Sequence, residues 1–201
     1  MILPRTNIKV NKGFFIPVNL ELIARTNLKT AAVYGAVLRY ALMKNKSGDI
    51  NGMCYASIAT IAGDLGLSYK TARKYLAELA KGGYIYDFSS GVRNKSHILR
   101  VIPDDKIDKS SFLKLEINSL KIFAPHCEKI KPLTVLCVFA MLKSYDNIDV
   151  ALSKAKITEM LKICPRDVIK CLIVLNKCNL ITHTVKGKSH RYALEDKEKV
   201  A

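Results

Sequence analysis

An internal repeat limits the fold of this chain more than any other feature of its sequence. Residues 57–68 align with residues 153–164 at a constant offset of 96. Three apolar positions then recur at helical spacing in both copies: Ala72, Leu76 and Leu79 in the first, and Val168, Leu172 and Leu175 in the second. Self-similarity at a fixed offset marks a repeated structural unit. We therefore predict two tandem domains of the same fold, in preference to a chance match of helical periodicity.

Both copies also predict the end of a helix at the same place. Gly83 of the first copy corresponds to Asn179 of the second. Gly and Asn are the residues that most readily adopt the left-handed conformation that ends a helix. Between the two copies, the alignment offset is 102 upstream of this segment and 93 downstream of it. The predicted elements of the two copies therefore match, while the loops between them differ in length. Loops tolerate such changes better than the elements they join.

A polar stretch from Pro103 to Ser111 separates the two copies and has the composition of a linker. We predict a first domain at residues 1–103, a linker at 104–111 and a second domain at 112–201.

Hydrophobic periodicity and turn residues predict the order of elements in the first copy. They indicate a short strand, a scaffold helix, a second helix, a tight Gly-rich turn, a third helix and a β-hairpin. The predicted strand is 14–18, the scaffold helix 27–44 and the second helix 55–62. The turn is 63–67 and the hairpin 84–101, and the third helix lies between them. Asn27 and Ser68 are the expected N-caps. The predicted fold class is mainly α with small β wings (α+β): two tandem winged helix-turn-helix domains that form an internal pseudo-dimer.

The segment from Leu65-Gly66-Leu67-Ser68 to Gly83-Tyr84-Ile85 carries a family resemblance. It resembles the recognition-helix signature of bacterial winged-helix proteins. Residues 14–101 also resemble the DNA-binding domains of Gram-positive plasmid replication initiators, and residues 112–194 do so more weakly. The duplicated arrangement is similar to internal-dimer winged-helix proteins of conjugative plasmids, including TraN-type transfer proteins. The resemblance implies double-stranded DNA binding, without choosing among DNA replication, conjugation and transcription regulation.

The charge of the chain fits that partner. There are 33 Lys and Arg against 17 Asp and Glu, a formal charge of +16. Residues 1–105 carry 15 basic and 7 acidic side chains and residues 106–201 carry 18 and 10, so each part is near +8. Such an excess favours nucleic acid or an anionic membrane as partner, the alternative being a basic surface alone.

A membrane partner is not expected. The longest apolar run, Leu133–Leu142, is far shorter than the roughly 20 residues that span a bilayer. The N-terminal residues lack the apolar core of a signal peptide, so we expect a cytoplasmic protein.

The start of the third helix of the first copy contains the residues best suited to contact DNA, because the N-terminal part of a recognition helix approaches base edges in the major groove. With Ala72 facing inward, the cationic side chains project outward. Lys70 also opposes the dipole of its own helix unless an anion lies nearby. Hydroxyl groups position phosphates, and Ser68 is in addition a helix cap. The predicted contacts are Ser68, Tyr69, Lys70, Thr71, Arg73 and Lys74.

Both predicted hairpins carry basic tips that could contact phosphates or enter the minor groove, or could simply be exposed hairpin ends. The candidates are Arg93, Asn94, Lys95 and His97 in the first wing, and Lys186, Lys188 and Arg191 in the second.

The corresponding helix of the second copy keeps only part of the pattern. Arg166 and Lys170 replace Lys70 and Lys74 and are predicted to contact DNA. Asp167 replaces Thr71 and would repel phosphate, although a carboxylate accepts from cytosine. An apolar residue also replaces Arg73. The second copy therefore either recognises a different half-site or has become structural.

The sequence contains no motif of an enzyme or of a cofactor site. The phosphate loop, the His-Glu-x-x-His metal motif and the Gly-x-Ser-x-Gly elbow are absent, as is the His-x-His cluster of relaxases. The six cysteines show no Cys-x-x-Cys spacing, which favours reduced core thiols over a metal site.

We therefore expect a non-enzymatic, sequence-specific double-stranded DNA-binding protein of a plasmid or other mobile element, acting at an origin-type or operator site. The alternatives are a transcriptional repressor or regulator and a winged-helix protein–protein interaction module. We expect no cofactor, a monomer with an internal pseudo-dimer, and other replication or transfer proteins as further partners.

Overall fold

The structure, a computed structural model, describes residues 15–43, 52–88, 98–102, 111–146, 152–186 and 189–194. The chain divides into two compact units, Met1–Ile117 and Asn118–Ala201. The first unit thus includes residues 112–117, which the sequence predicts to be part of the second domain.

The elements of the first unit alternate between short strands and helices. In chain order they are β1 (Phe15–Asn19), α1 (Leu20–Arg25), α2 (Leu28–Ala41), β2 (Met53–Cys54), α3 (Ile58–Asp64), α4 (Tyr69–Lys81), β3 (Ile85–Asp87), β4 (Leu99–Val101) and β5 (Phe112–Glu116).

The first unit ends at Ile117 because β5 pairs with a strand that is distant in sequence. β1 and β5 form an antiparallel ladder in which Ile16 lies opposite Leu115, and Val18 opposite Leu113. All four side chains are fully buried. β5 alternates apolar and polar residues, and such a strand must pair with a partner to bury its apolar face. The partner is distant in sequence, so the local composition of residues 103–111 did not reveal it.

Helix α2 forms the centre of the first unit. The side chain of Asn27 caps it by accepting from the backbone N–H groups of Lys29 and Thr30, as the sequence predicted. Its residues from Thr30 to Val37 are buried, because β1 packs against it together with α3 and α4. The helix ends at Ala41, with Leu42 as its C-cap, and thus stops short of the predicted end at Lys44.

The helix-turn-helix lies between α3 and α4. The hydroxyl of Ser57 caps α3, so this helix begins at Ile58 rather than at the predicted residue 55. It also runs two residues further, to Asp64. The carboxylate of Asp64 accepts from the Tyr40 hydroxyl at 2.6 Å and pairs with Arg39 at 3.2 Å. Burial and the hydrogen bond to Asp64 raise the pKa of Tyr40 to about 12, so its hydroxyl remains a donor.

The strands on either side of the helix-turn-helix form a three-stranded antiparallel sheet with the order β2-β4-β3. β3 and β4 form the predicted hairpin, in which Ile85 pairs with Val101. Residues 89–97 of the predicted hairpin lie outside the described part of the chain.

The second unit consists of helices followed by a hairpin. Its described elements are α5 (Ser119–Phe123), a 3₁₀ turn (Ala124–His126), α6 (Pro132–Asp146), α7 (Lys154–Leu161), α8 (Pro165–Lys177), β6 (Ile181–Lys186) and β7 (Ser189–Leu194). The apolar run Leu133–Leu142 forms most of the buried side of α6. Among the described helices, none is both long and apolar enough to cross a membrane.

The two units share backbone features at the offset seen in the sequence. Ser57 caps α3 and Ser153 caps α7, each accepting from the N–H three residues later. Positive φ angles occur at Gly66 and at Lys162, which is 96 residues later. The same relation holds for the ends of α4 and α8, where Gly83 and Asn179 have φ angles of 74° and 52°.

Hydrogen bonds after the last helix repeat as well. The N–H of Tyr84 donates to the carbonyl of Leu79 at 3.0 Å, and the N–H of Leu180 donates to that of Leu175 at 3.1 Å. These are the closing bonds of a helix C-terminal motif. The hairpins begin in equivalent register, with Ile85 opposite Val101 and Ile181 opposite Leu194. The last two helices and the hairpin of each unit thus share these local features.

The turn between α3 and α4 provides a test of this geometry. Gly66 has a φ of +60°, and a Cβ added there would meet no atom within 4 Å. The replacement Gly66→Ala is therefore expected to lower the free energy of unfolding by about 1 kcal/mol through backbone strain alone. Gly66→Asn should cost less, because Asn tolerates this conformation. Urea denaturation followed by circular dichroism measures both; an equal loss for Ala and Asn would contradict the explanation.

Candidate nucleic-acid interface

Helix α4 is held by a cap at one end and by the core along one side. The Ser68 hydroxyl oxygen accepts from the N–H of Thr71 at 3.2 Å and lies 2.7 Å from the Thr71 hydroxyl. Ala72, Leu76 and Leu79 are buried, as the sequence predicted. Ser68 is therefore a helix cap, and the orientation of α4 about its axis is determined by the core.

This orientation leaves a cationic face in solvent. The side chains of Tyr69, Lys70, Arg73 and Lys74 are exposed, while that of Thr71 is half-buried. The first turn of α4 contains no acidic residue. The exposed amides and the dipole at this end favour an anion. The structure thus brings together all six residues predicted on this helix in one N-terminal segment.

A chain of side-chain contacts links this face to α2. The Asn27 amide donates to the Thr30 hydroxyl at 2.8 Å, and that hydroxyl donates to a Glu78 carboxylate oxygen at 3.0 Å. The other carboxylate oxygen lies 3.9 Å from the ammonium of Lys74. Sequence reasoning missed Glu78, although its position four residues after Lys74 was a readable signal. The role of Thr30 depends on the packing of α2 against α4, which the sequence does not show.

The structure describes only part of the two predicted wings. Arg93, Asn94, Lys95 and His97 lie outside the described residues, and so does Lys188. Lys186 lies at the end of β6 opposite Ser189, and Arg191 lies on β7 opposite Thr184. Their contacts with DNA stay predictions.

Helix α8 presents a different surface from α4. Pro165 occupies its first turn, and Arg166 is exposed. The half-buried Lys170 pairs with Asp167 of the same helix at 3.3 Å. Ile169 and Ile173 are 45% and 51% exposed, one turn apart. The first turn of α4 contains no acidic residue, whereas α8 pairs Lys170 with Asp167 in its first turns and exposes two large apolar side chains.

The cysteines are all free thiols, in part buried in the core. Cys54, Cys137 and Cys171 are buried, and burial raises the pKa of each of these thiols, that of Cys171 to about 12. Cys164 is exposed at the start of α8. Within the described ranges, no group of three or more His, Cys, Asp and Glu could hold a metal ion.

Two helices joined by a tight turn, the second with an exposed cationic N-terminal half, define a helix-turn-helix domain. Residues 27–85 match the family model described as a helix-turn-helix domain, which confirms the prediction of this motif. The match covers less than half of the chain. A helix-turn-helix domain suggests DNA binding, with DNA as a partner.

Wider comparisons add little. No curated protein matches the chain. Among solved structures, the chain is similar to the crystal structure of the DIP2311 protein from Corynebacterium diphtheriae, with 12% sequence identity and a TM-score of 0.28. The similarity covers 82% of this chain and 26% of that one, so this chain spans about a quarter of that protein. A likeness at this score supports no conclusion about fold or function.

Proposed function

We propose that this chain is a non-enzymatic, site-specific double-stranded DNA-binding protein whose helix α4 enters the major groove. The observation that carries the proposal is the face of Lys70, Arg73 and Lys74, which projects from a helix whose opposite side is buried. The domain that contains this helix is a helix-turn-helix. In such domains the N-terminal residues of the second helix contact base edges.

The geometry of α4 suits this role. An α-helix fits the major groove, which is about 12 Å wide. Arg73 lies one turn after Lys70, so both cations project from the same face of the helix. Arg presents a planar donor pair that matches guanine, and the amides at Ser68 and Tyr69 are free to donate to a phosphate. The face thus combines base recognition with backbone positioning.

The repeated backbone geometry supports a tandem arrangement of two winged helix-turn-helix domains. Serine caps, positive φ angles and hairpin register recur at the offsets found in the sequence. Two such domains in one chain act as a pseudo-dimer on two sites. A target for this arrangement contains two elements separated by about one helical turn or a multiple of it.

The exposed pair Ile169 and Ile173 favours a second function for the second unit. Protein interfaces use exposed apolar side chains at their centre, whereas contacts to phosphates require cations. In this alternative, α8 contacts another protein while α4 contacts DNA. The two units then contribute unequally to DNA binding, and the first unit makes the stronger contacts with bases.

The resemblance of residues 14–101 to plasmid replication initiators supports an origin-type or operator site on a plasmid or other mobile element. Sequencing of DNA fragments retained by the protein distinguishes the settings: a replication origin, a transfer origin or a promoter would each identify one role. Replication or transfer proteins are the further partners in the first two settings.

The dependence of DNA affinity on salt tests the proposal. Each phosphate neutralised by a cation releases a counterion, so the logarithm of the affinity falls linearly with the logarithm of the salt concentration. For about six contacts we expect a loss of about 10³-fold between about 50 and 200 mM salt. Fluorescence anisotropy of a labelled duplex measures the slope. Affinity that is independent of salt, or absent at low salt, would contradict the proposal.

A further inference from the structure

The outer face of the sheet β2-β4-β3 contains an exposed aromatic pair that duplex recognition by α4 does not use. The rings of Tyr86 and Phe88 have centroids 4.6 Å apart and are tilted by 59°. They remain 56% and 49% exposed although they pack against each other. Contiguous exposed apolar surface marks interaction sites, so an exposed pair of rings in mutual contact suggests contact with a ligand.

A cation lies beside the pair. Arg100 of β4 is directly opposite Tyr86, and Met53 of β2 is opposite Arg100 on the other side. Both Tyr86 and Arg100 are exposed. Within these three strands Asp87 is the only acidic residue, and it is half-buried. Successive side chains of a strand point to opposite faces, so Asp87 points away from the face of Tyr86 and Phe88. The outer face therefore offers ring surfaces and a positive charge.

The fold itself does not require these side chains. On the equivalent hairpin of the second unit, the positions of Tyr86 and Phe88 are occupied by Thr182 and Thr184. The position of Arg100 is occupied by Ala193, which lies opposite Thr182 as Arg100 lies opposite Tyr86. A hairpin in the same register thus forms without the aromatic pair, so packing of the wing does not explain the two rings.

We propose that Tyr86, Phe88 and Arg100 form a platform that binds unpaired bases of single-stranded DNA. Aromatic side chains on an open sheet face stack with bases of any sequence, and an adjacent guanidinium pairs with the phosphates between them. A protein could also pack against the rings, but the chain's formal charge of +16 favours a polyanion such as DNA. The proposal rests on the proposed function only in taking DNA as the partner.

The platform lies in the same unit as α4, so it could bind unpaired bases while α4 binds a duplex. β3 follows α4 after the turn at Gly83 and packs against that helix in the same unit. A protein that holds a duplex through α4 and unpaired bases through this sheet prefers a junction between duplex and single strand. Opened DNA of this kind occurs wherever a duplex is locally melted.

The chain contains no tryptophan, which permits a direct test. In the full-length Tyr86→Trp variant the indole is the single tryptophan, and a base stacked on it quenches its fluorescence. We expect quenching by an unlabelled strand of about 20 thymidines and weaker quenching by a closed duplex of equal length. Absence of quenching by the single strand would overturn the proposal.

Affinity measurements complete the test. The Tyr86→Thr and Phe88→Thr double variant introduces the residues of the second hairpin and preserves strand propensity. It should bind a labelled thymidine strand about tenfold or more weakly, because each stacked base contributes at least about fivefold. The affinity for a closed duplex should remain unchanged, and Ile122→Ala on the second unit should alter neither affinity.

The outcomes separate this proposal from the proposed function. Equal binding of the single strand by the double variant and the wild type overturns the platform. If the wild type binds duplex but gains nothing from a single-stranded tail, the platform fails while the duplex function stands. If the strand binds and the duplex does not, the platform stands and duplex recognition by α4 fails.

Discussion

The simultaneous replacement of Lys70, Arg73 and Lys74 by alanine is expected to lower the affinity for a specific duplex by about 100-fold or more. Each side chain in contact with a base or phosphate contributes about 1–3 kcal/mol, so three contribute at least about 3 kcal/mol. The salt slope should decrease by about one unit for each cation that contacts a phosphate. Fluorescence anisotropy at several salt concentrations measures both quantities.

Folding should survive this change. The three side chains are exposed, and alanine is the best helix former, so the free energy of unfolding should change little. The pair between Lys74 and Glu78 is exposed and long, at 3.9 Å, and such pairs contribute about 0–1 kcal/mol. Circular dichroism of the variant would show whether α4 remains intact.

A matched control removes the same charge elsewhere. Lys121, Lys129 and Lys131 are exposed on the second unit, and their replacement by alanine also lowers the net charge by three. This variant should lose far less affinity than the α4 variant. Equal losses would mean that general charge, and not the α4 face, accounts for binding.

The corresponding change on α8 tests the asymmetry between the units. Lys170 already pairs with Asp167, so Arg166→Ala with Lys170→Ala should reduce affinity much less than the α4 variant does. A loss as large as that of the α4 variant would show that both helices contact DNA alike.

The replacement Gly35→Ala is expected to destabilise the first unit by about 3 kcal/mol. A Cβ at this position would lie far inside contact distance of the Pro17 carbonyl oxygen and 3.0 Å from Cγ2 of Ile16. The backbone of β1 is also fixed by its antiparallel ladder with β5, so it cannot shift freely to make room. Overpacking of a fixed backbone costs about 1–3 kcal/mol and at times more. The melting temperature of this unit should fall by about 10–20 °C.

The control is a second glycine of the same unit. Gly63 lies in α3, has an ordinary φ, and would meet no atom within 4 Å on gaining a Cβ. Gly63→Ala should therefore raise the free energy of unfolding by about 0.5–1 kcal/mol through helix propensity. Thermal denaturation of both variants measures the contrast. If Gly35→Ala were as stable as the wild type, close packing of α2 on β1 would be disproved.

Local signals predicted the elements of the helix-turn-helix well. Asn27 and Ser68 cap helices as expected, because capping depends on one side chain and the next three amides. The buried stripe of α4 follows from helical spacing alone. The first boundary of α3 was misplaced by three residues, because Ser57 and not the preceding polar residues provides its cap.

The contacts that join distant segments could not be predicted in this way. The pairing of β5 with β1, the hydrogen bond from Thr30 to Glu78 and the exposure of Ile169 depend on which surfaces meet after folding. The aromatic pair Tyr86 and Phe88 lies within the predicted hairpin, but its exposure depends on which face of the sheet the core covers.

The sequence by itself determined the offset of 96, the caps, the helical stripes and the cationic start of α4, because each depends on residues a few positions apart. Only the tertiary structure decided where the first unit ends and which side chains remain exposed. Those outcomes depend on the burial of apolar surface between segments far apart in the chain, and this burial has no local signal. Local spacing therefore predicted the helix-turn-helix of the first unit, and packing decided where that unit ends.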